Sequence, residues 1–173
     1  MNIFVLDSNP RLAAQYHCDS HVVKMVLESA QLLSTVHHKC GTWCPPMYKP
    51  THQQHPCSLW LMESQANYIW CWQLLDALCV EYTFRYGRLH ATSQLVDILA
   101  NMPVSLPDVG LTQFALAMPD VYRGSDAVTA YRGYYRGAKS HILKYRGRLA
   151  PPWLTQVQAE KSSEGTNKIV DKR

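Results

Sequence analysis

The sequence predicts a single all-α domain. Three observations lead there. Apolar residues recur at helical spacing over 10–37 and 58–86, and no run alternates in the way a strand ladder requires. The segments between these stretches carry the prolines and glycines that stop helices. With 173 residues and a 47% hydrophobic fraction, the chain suits one domain with a real core. No internal repeat is visible.

The elements follow in order. Residues 2–6 read as a short extended start. Asn9-Pro10 is a helix-start signal, because proline at the first helical position loses no needed donor. Helical patterning then continues to about His37, with a break near Asp19-Ser20 where either residue can cap a second segment. The stretch KCGTWCPPMYKPTHQQHP, 39–56, reads as a loop. Ser58 to Tyr86 reads as one long helix, apolar on nearly every face from Tyr68 to Val80, and therefore central and buried. Gly87 is its expected stop. A short amphipathic helix is expected over 90–101, and at most one helical turn near Thr112–Ala117. Asp126 caps a helix expected to run to about Tyr145, with Gly133 and Gly137 on one face for close approach of another helix or a phosphate backbone. The domain is expected to span 1–158, with 159–173 a polar, disordered tail.

Composition excludes some classes. No apolar run approaches the ~18 residues needed to cross a bilayer. MNIFVLDSNPR lacks a basic region followed by a long apolar one, so no secretory signal is read and a cytoplasmic location is expected, in the host cell if the chain is phage-encoded. In that compartment the cysteines stay reduced, and Cys71 and Cys79 act as small hydrophobes. Cys40 and Cys44 lie near His37, His38, His52 and His55, but the spacing fits no standard zinc pattern, so a zinc site there is not favoured and no metal or cofactor is expected.

The net charge of +4 is unevenly placed. Over 121–150, Arg123, Arg132, Arg136, Lys139, Lys144, Arg146 and Arg148 face one acid, Asp126. Such a block suits a polyanion, since contact with phosphates displaces counterions. A solvated basic helix is the other reading. Interleaved Tyr131, Tyr134, Tyr135 and Tyr145 favour nucleic acid, because rings stack on bases while cations hold phosphates. DNA is the expected partner.

The candidate chemistry lies in HCDSHVVKMVLESAQLLST, residues 17–35. On one helix, His17, His21, Lys24, Glu28, Gln31 and Thr35 form a polar line about 80° wide, flanked by apolar residues. So narrow a line suggests a cleft rather than a solvated face. Lys24 follows His21 by three residues and precedes Glu28 by four, so the three can meet around one small volume. An amine can attack an electrophilic carbon such as C1′ of a sugar, a carboxylate can move a proton, and histidine can assist near neutral pH. Lys24, Glu28 and His21 are therefore the catalytic candidates, with His17 and Gln31 as substrate contacts. In YKPTHQQHPCSLW, Lys49, His52 and His55 precede a helix start, where anions bind favourably. The other reading is a capping loop. In EYTFRYGRLH, Arg85 is a further contact candidate, or it simply pairs with Glu81. Asp120, Arg123, Arg132, Arg136 and Lys139 complete the substrate-binding candidates.

These stretches together resemble the pyrimidine-dimer DNA glycosylase family, the endonuclease V type of phages. The resemblance covers roughly residues 1–90. Its elements are the apolar start Ile3-Phe4-Val5-Leu6, LAAQ at 12–15, the polar groups His21, Lys24 and Glu28, HPCSLW at 55–60, and EYTFRYG. The whole chain is also similar to phage proteins with the pattern DKHVVKM, NHPC, EYTYRYGK and FALAMPD in that order. The resemblance implies a helical enzyme that flips a nucleotide, attacks C1′ with an amine and cleaves the strand by β-elimination. In that family the amine is the α-amine exposed by loss of Met, beside a Glu on the first helix. Here residue 2 is Asn2, a poor context for that loss, so the implied amine belongs to Met1 or Lys24, and Glu28 is the nearest carboxylate. Two other readings use the same basic face: an enzyme that modifies phage DNA bases without a Schiff base, and a non-catalytic module that binds nucleic acid or a host protein.

Overall fold

The computed structural model describes residues 1–154, and the expected tail at 159–173 lies outside them. Its helices are α1 (Pro10–Tyr16), α2 (Asp19–Lys39), α3 (Pro56–Glu63), α4 (Gln65–Tyr86), α5 (Val96–Leu99) and α6 (Ala127–Arg136). Among the described residues there is no strand. The all-α expectation holds.

Helices α2 and α4 pack along each other, with α1 against α4 and α3 against both α2 and α4. The core runs between them, through Val22, Val26, Leu33, Leu74, Leu75 and Leu78. The N-terminal segment threads this core, burying Ile3, Phe4, Val5 and Leu6.

Local chemistry sets most helix ends. The Asn9 side chain accepts from the N–H groups of Arg11 (2.9 Å) and Leu12 (3.2 Å), with Pro10 at the first turn of α1. His55 adopts extended φ/ψ before Pro56, and its Nδ1 accepts from Cys57 N–H at 3.2 Å. Gly87 ends α4 in the left-handed conformation, φ 67°, which a Cβ would disfavour. Asp126 caps α6, accepting from Thr129 N–H at 2.7 Å.

Four expectations need correction, over 58–86, at the cap of α2, over 90–101 and at the end of α6. The expected long helix over 58–86 is two helices, broken at Ser64, where the backbone turns extended (φ −158°, ψ 147°). Ser64 Oγ caps α4 by accepting from Ala66 N–H and donates to the Gly110 carbonyl, so the break also anchors the 107–112 loop. The cap of α2 is Cys18, with no side-chain hydrogen bond, and Asp19 is already helical. Residues 91–95 wind as a 3₁₀ segment before the single α turn of α5. Thr112–Ala117, where at most one turn is expected, contains none. Its backbone is held instead by side chains: Asn67 Oδ1 accepts from Thr112 N–H, and the Tyr131 hydroxyl meets Ala115 O and Ala117 N–H. Helix α6 stops at Arg136, well before Tyr145. At Gly137 the Tyr122 ring lies where a Cβ would be, so this glycine serves close packing, whereas Gly133 faces open space.

Candidate active site at the amino terminus

The N-terminal segment and α2 meet in a cleft of about 220 Å³ lined by Met1, Asn2, Phe4, His21, Lys24, Met25, Glu28, Ala117, Tyr134 and Lys139. Glu28 forms its floor. One carboxylate oxygen, Oε2, accepts from Asn2 N–H at 2.9 Å and lies 3.8 Å from the Met1 ammonium. The other, Oε1, lies 3.2 Å from Lys24 Nζ. The Met1 side chain is only 4% exposed while the residue as a whole is half-buried, so its exposure is at the backbone end that carries the amine. Lys24 differs: its side chain is 65% exposed and stands at the rim.

The backbone is fixed here by Asn2. Its Nδ2 donates to Ala117 O at 2.8 Å. Its Oδ1 accepts from Ile3 N–H at 2.8 Å and lies 3.0 Å from the Tyr131 hydroxyl and 3.7 Å from Cys57 Sγ. Burial pushes the Cys57 thiol up to about 12, so it acts as a neutral donor.

Beside Glu28, His21 stacks on Phe4 with ring centroids 4.4 Å apart, and its Nδ1 hydrogen-bonds the Tyr135 hydroxyl. Burial lowers the His21 pKa to about 3, helped by the nearby positive charges of Lys139 and Lys24. Burial likewise holds Tyr135 protonated well above its ordinary range. His21 is thus a neutral ring wedged against the cleft wall. On the far wall Tyr134 lies between Phe4 (6.2 Å) and Tyr122 (5.2 Å), with the Lys139 ammonium 5.1 Å over its ring.

The structure brings His21, Lys24, Glu28 and Lys139 together, and leaves other candidates elsewhere. His17 is not on α2 but at the C-terminal end of α1, fully buried, with Nδ1–H donating to Ala13 O. Burial lowers its pKa to about 4 and its Nε2 has no hydrogen-bond partner. Gln31 is half-buried one turn beyond Glu28 on α2, and Thr35 pins the 51 loop, accepting from Thr51 N–H at 3.1 Å. Lys49 and His52 are exposed, His52 with φ 48° and its Nδ1 against Thr51 Oγ1. His55 is half-buried and does not line the cleft; burial lowers its pKa, with a smaller contribution from the charge of the N-terminal ammonium.

The arginines are largely committed. Arg85 is sealed from solvent, donating to Glu81 (2.7 Å), Asp19 (2.9 Å) and Gln15 O (3.0 Å). It ties α1, α2 and α4 together rather than meeting a substrate. Arg132 donates to Leu6 O (2.9 Å) and Asp7 (3.0 Å), and Arg136 to Trp153 O (3.4 Å). Asp120 and Arg123 pair with each other at 3.0 Å on the surface.

Sequence reasoning missed Asn2, Phe4, Ala117 and Tyr134 as parts of the site. Asn2 did carry a signal, an amide inside the apolar run MNIFVL. Ala117 carried none, since its backbone makes the contact. Among the described residues, no three His, Cys, Asp or Glu side chains gather to hold a metal ion, and the cysteines, Cys40 and Cys44 included, are free. No helix among the described residues is long and apolar enough to cross a membrane.

Fold and site together define a helical protein with an α-amine set against a buried glutamate in a small polar cleft. No protein-family description, curated protein or solved structure matches the chain.

Proposed function

We propose that the protein is a DNA-processing enzyme of the glycosylase/AP-lyase kind, acting through an amine nucleophile. The observation that carries this reading is the pairing of the Met1 amine with Glu28, 3.8 Å apart in the cleft. An amine beside a carboxylate is the minimum set for Schiff-base chemistry, in which the amine attacks a carbonyl-level carbon and the carboxylate shuttles protons. Met1 is the nucleophile, because its amine sits between the cleft walls whereas Lys24 stands mostly in solvent. Lys24 and Lys139 bind the phosphates flanking the reacting sugar. His21 shapes the wall as a neutral ring. The exposed cations beyond the cleft, Lys49, Lys144 and Arg146 among them, supply a general attraction to the DNA backbone.

Sodium borohydride trapping tests this with duplex DNA carrying an abasic site or a thymine dimer. The expected result is a covalent adduct that maps, by peptide mass, to Met1 and survives in Lys24→Ala. An adduct mapping to Lys24 and lost in that variant moves the nucleophile to the lysine. No adduct with either duplex overturns the reading.

A further inference from the structure

We propose that a second cleft, between α1 and the C-terminal half of α4, is a docking site for an acidic segment of a partner protein. The segment seats a carboxylate on Arg11 and Arg148 and an apolar side chain on Val80, Phe84 and Leu149. The inference does not depend on the Met1–Glu28 reading.

Arg11 and Gln15 of α1, Asp76 and Val80 of α4, and Arg148 line this cleft, and buried Glu81 lies at its floor. Arg148 grips both oxygens of that carboxylate, Nε donating to Oε1 at 3.0 Å and Nη2 to Oε2 at 2.8 Å. The Phe84 ring covers one face of the same guanidinium, its centroid 4.3 Å from Cζ. A guanidinium held along one edge and one face is pre-oriented, and its Nη1 edge is left over. Among the described residues, neither Arg148 Nη1 nor the Arg11 guanidinium has a hydrogen-bond or ion-pair partner. Arg85 also donates to Glu81 at 2.7 Å, so the floor carboxylate is neutralised before Arg11 is counted. The two unused donors suit an anion from outside, and a carboxylate meets arginine directionally.

Beside these donors lies exposed apolar surface. Val80 and Phe84, one turn apart on α4, are 65% and 55% exposed, and Leu149, next to Arg148 in the chain, is 95% exposed. The contact of Arg148 with Phe84 brings this part of the chain alongside α4. Apolar side chains grouped with arginine and an aromatic ring match the make-up of a protein–protein interface. A phosphate backbone would use the arginines but gains nothing from Val80 and Leu149.

Charge selects the occupant. Residues 155–173 of this chain carry Lys161, Lys168, Lys172 and Arg173 against Glu160, Glu164 and Asp171, so they bring no net negative charge. A second copy would press the same face against itself and set the two basic rims together. Asp76 lies two turns before Phe84, about 12 Å along the helix, which puts the partner's acid at the Arg148 end.

The test pans a displayed library of random peptides against the full chain and titrates the enriched peptides by fluorescence anisotropy. The enriched sequences are expected to pair Asp or Glu with Leu, Ile, Phe or Trp. Arg11→Glu should weaken their binding by about 10-fold or more, and so should the charge-neutral double variant Val80→Ser with Leu149→Ser. Lys49→Glu, the same change of charge at an exposed side chain outside the cleft, should leave it little changed. All four side chains are exposed, so the fold persists in each variant, which far-UV circular dichroism verifies. Arg148 is left in place because it neutralises buried Glu81. No enrichment, enriched peptides without acids, or binding indifferent to Arg11→Glu or to the double variant overturns the proposal. An equal loss of duplex-DNA affinity in the double variant overturns it in favour of nucleic acid. Displacement of the peptides by a synthetic 155–173 peptide overturns it in favour of the chain's own terminus, and a concentration-dependent dimer dispersed by the double variant does so in favour of a second copy.

Discussion

The backbone N–H of Asn2 donates to Glu28 Oε2 over 2.9 Å, joining the chain's second residue to the middle of its first long helix. This bond orients the carboxylate, leaving its other oxygen for Lys24. Glu28→Gln keeps an oxygen for Asn2 N–H but removes the proton acceptor. Strand cleavage at an abasic site is expected to fall by about 10²–10⁴-fold, the usual worth of a positioned base, with helicity unchanged. Single-turnover cleavage beside far-UV circular dichroism checks both halves.

Asn2 itself is expected to matter for folding and for positioning. Asn2→Ala strips partners from Ala117 O, Ile3 N–H and the Tyr131 hydroxyl at a buried position. Leaving such groups unsatisfied costs roughly 1–3 kcal/mol. Tyr131→Phe is milder, since the Asn2 amide still holds Ala117. Urea denaturation should rank the stabilities wild type, Tyr131→Phe, Asn2→Ala. Trapping yield per folded molecule should fall in the same order, whereas a merely structural role would leave it flat.

The buried histidines set an acid limit on stability. Burial lowers His17 to about 4 and His21 to about 3 from an ordinary 6.5. Between those values and 6.5 the unfolded chain binds more protons than the folded one. Stability is therefore lost as pH falls from about 6.5 toward 4, at about 1.4 kcal/mol per pH unit for each histidine. The urea midpoint should drop between pH 7 and pH 5, and His21→Phe should remove one histidine's share of that slope. An unchanged slope in the variant would place the proton uptake elsewhere.

Ion pairs should divide sharply by burial. Glu81 lies under Arg85 and Arg148, which donate to it at 2.7 and 2.8 Å. Burial pushes its pKa up, but the hydrogen bonds and charges of Arg148 and Arg85 outweigh that, and the net shift is downward. Arg85→Leu leaves buried Glu81 and partly buried Asp19 short of a partner, and is expected to cost roughly 3–5 kcal/mol. Arg123→Ala, at the exposed pair with Asp120, should change stability by less than about 1 kcal/mol. Thermal melts of the two variants make the contrast.

What was legible in the sequence is what local physics decides. Asn9-Pro10, His55-Pro56, Gly87 and Asp126 act on neighbours a few residues away, so their helix ends could be read directly. The three- and four-residue spacings of His21, Lys24 and Glu28 likewise put them on one face. The break at Ser64 escaped because MESQ has no glycine or proline, and what holds it there is the distant Gly110 carbonyl. The end of α6 was overrun because the reason Gly137 must be glycine is the Tyr122 ring, which arrives from another segment. Arg132 looked like a free cation because its partner, Asp7, lies far away in sequence, whereas the four-residue spacing of Glu81 and Arg85 made their pairing readable and left only Asp19 unseen. The Asn2–Tyr131 contact, spanning most of the chain, follows only from tertiary packing.

The amine assignment makes one demand that no side-chain substitution can meet. If the Met1 amine attacks, converting it to an amide must abolish trapping without disturbing the fold. A chain extended by two residues before Met1 retains every side chain of the cleft, including Lys24, Glu28 and Lys139. It also retains the Asn2 N–H bond to Glu28 and the Asn2 side-chain anchors, which do not depend on a free terminus. What it loses is the ammonium beside Glu28. Abasic-site adduct should vanish in the extended chain, while the urea midpoint moves by little more than the worth of one ion pair, about 0–1 kcal/mol. Proteolytic removal of the extension, regenerating Met1 as the terminus, should restore the adduct. Trapping that persists in the extended chain would assign the nucleophile to Lys24, the remaining amine paired with Glu28.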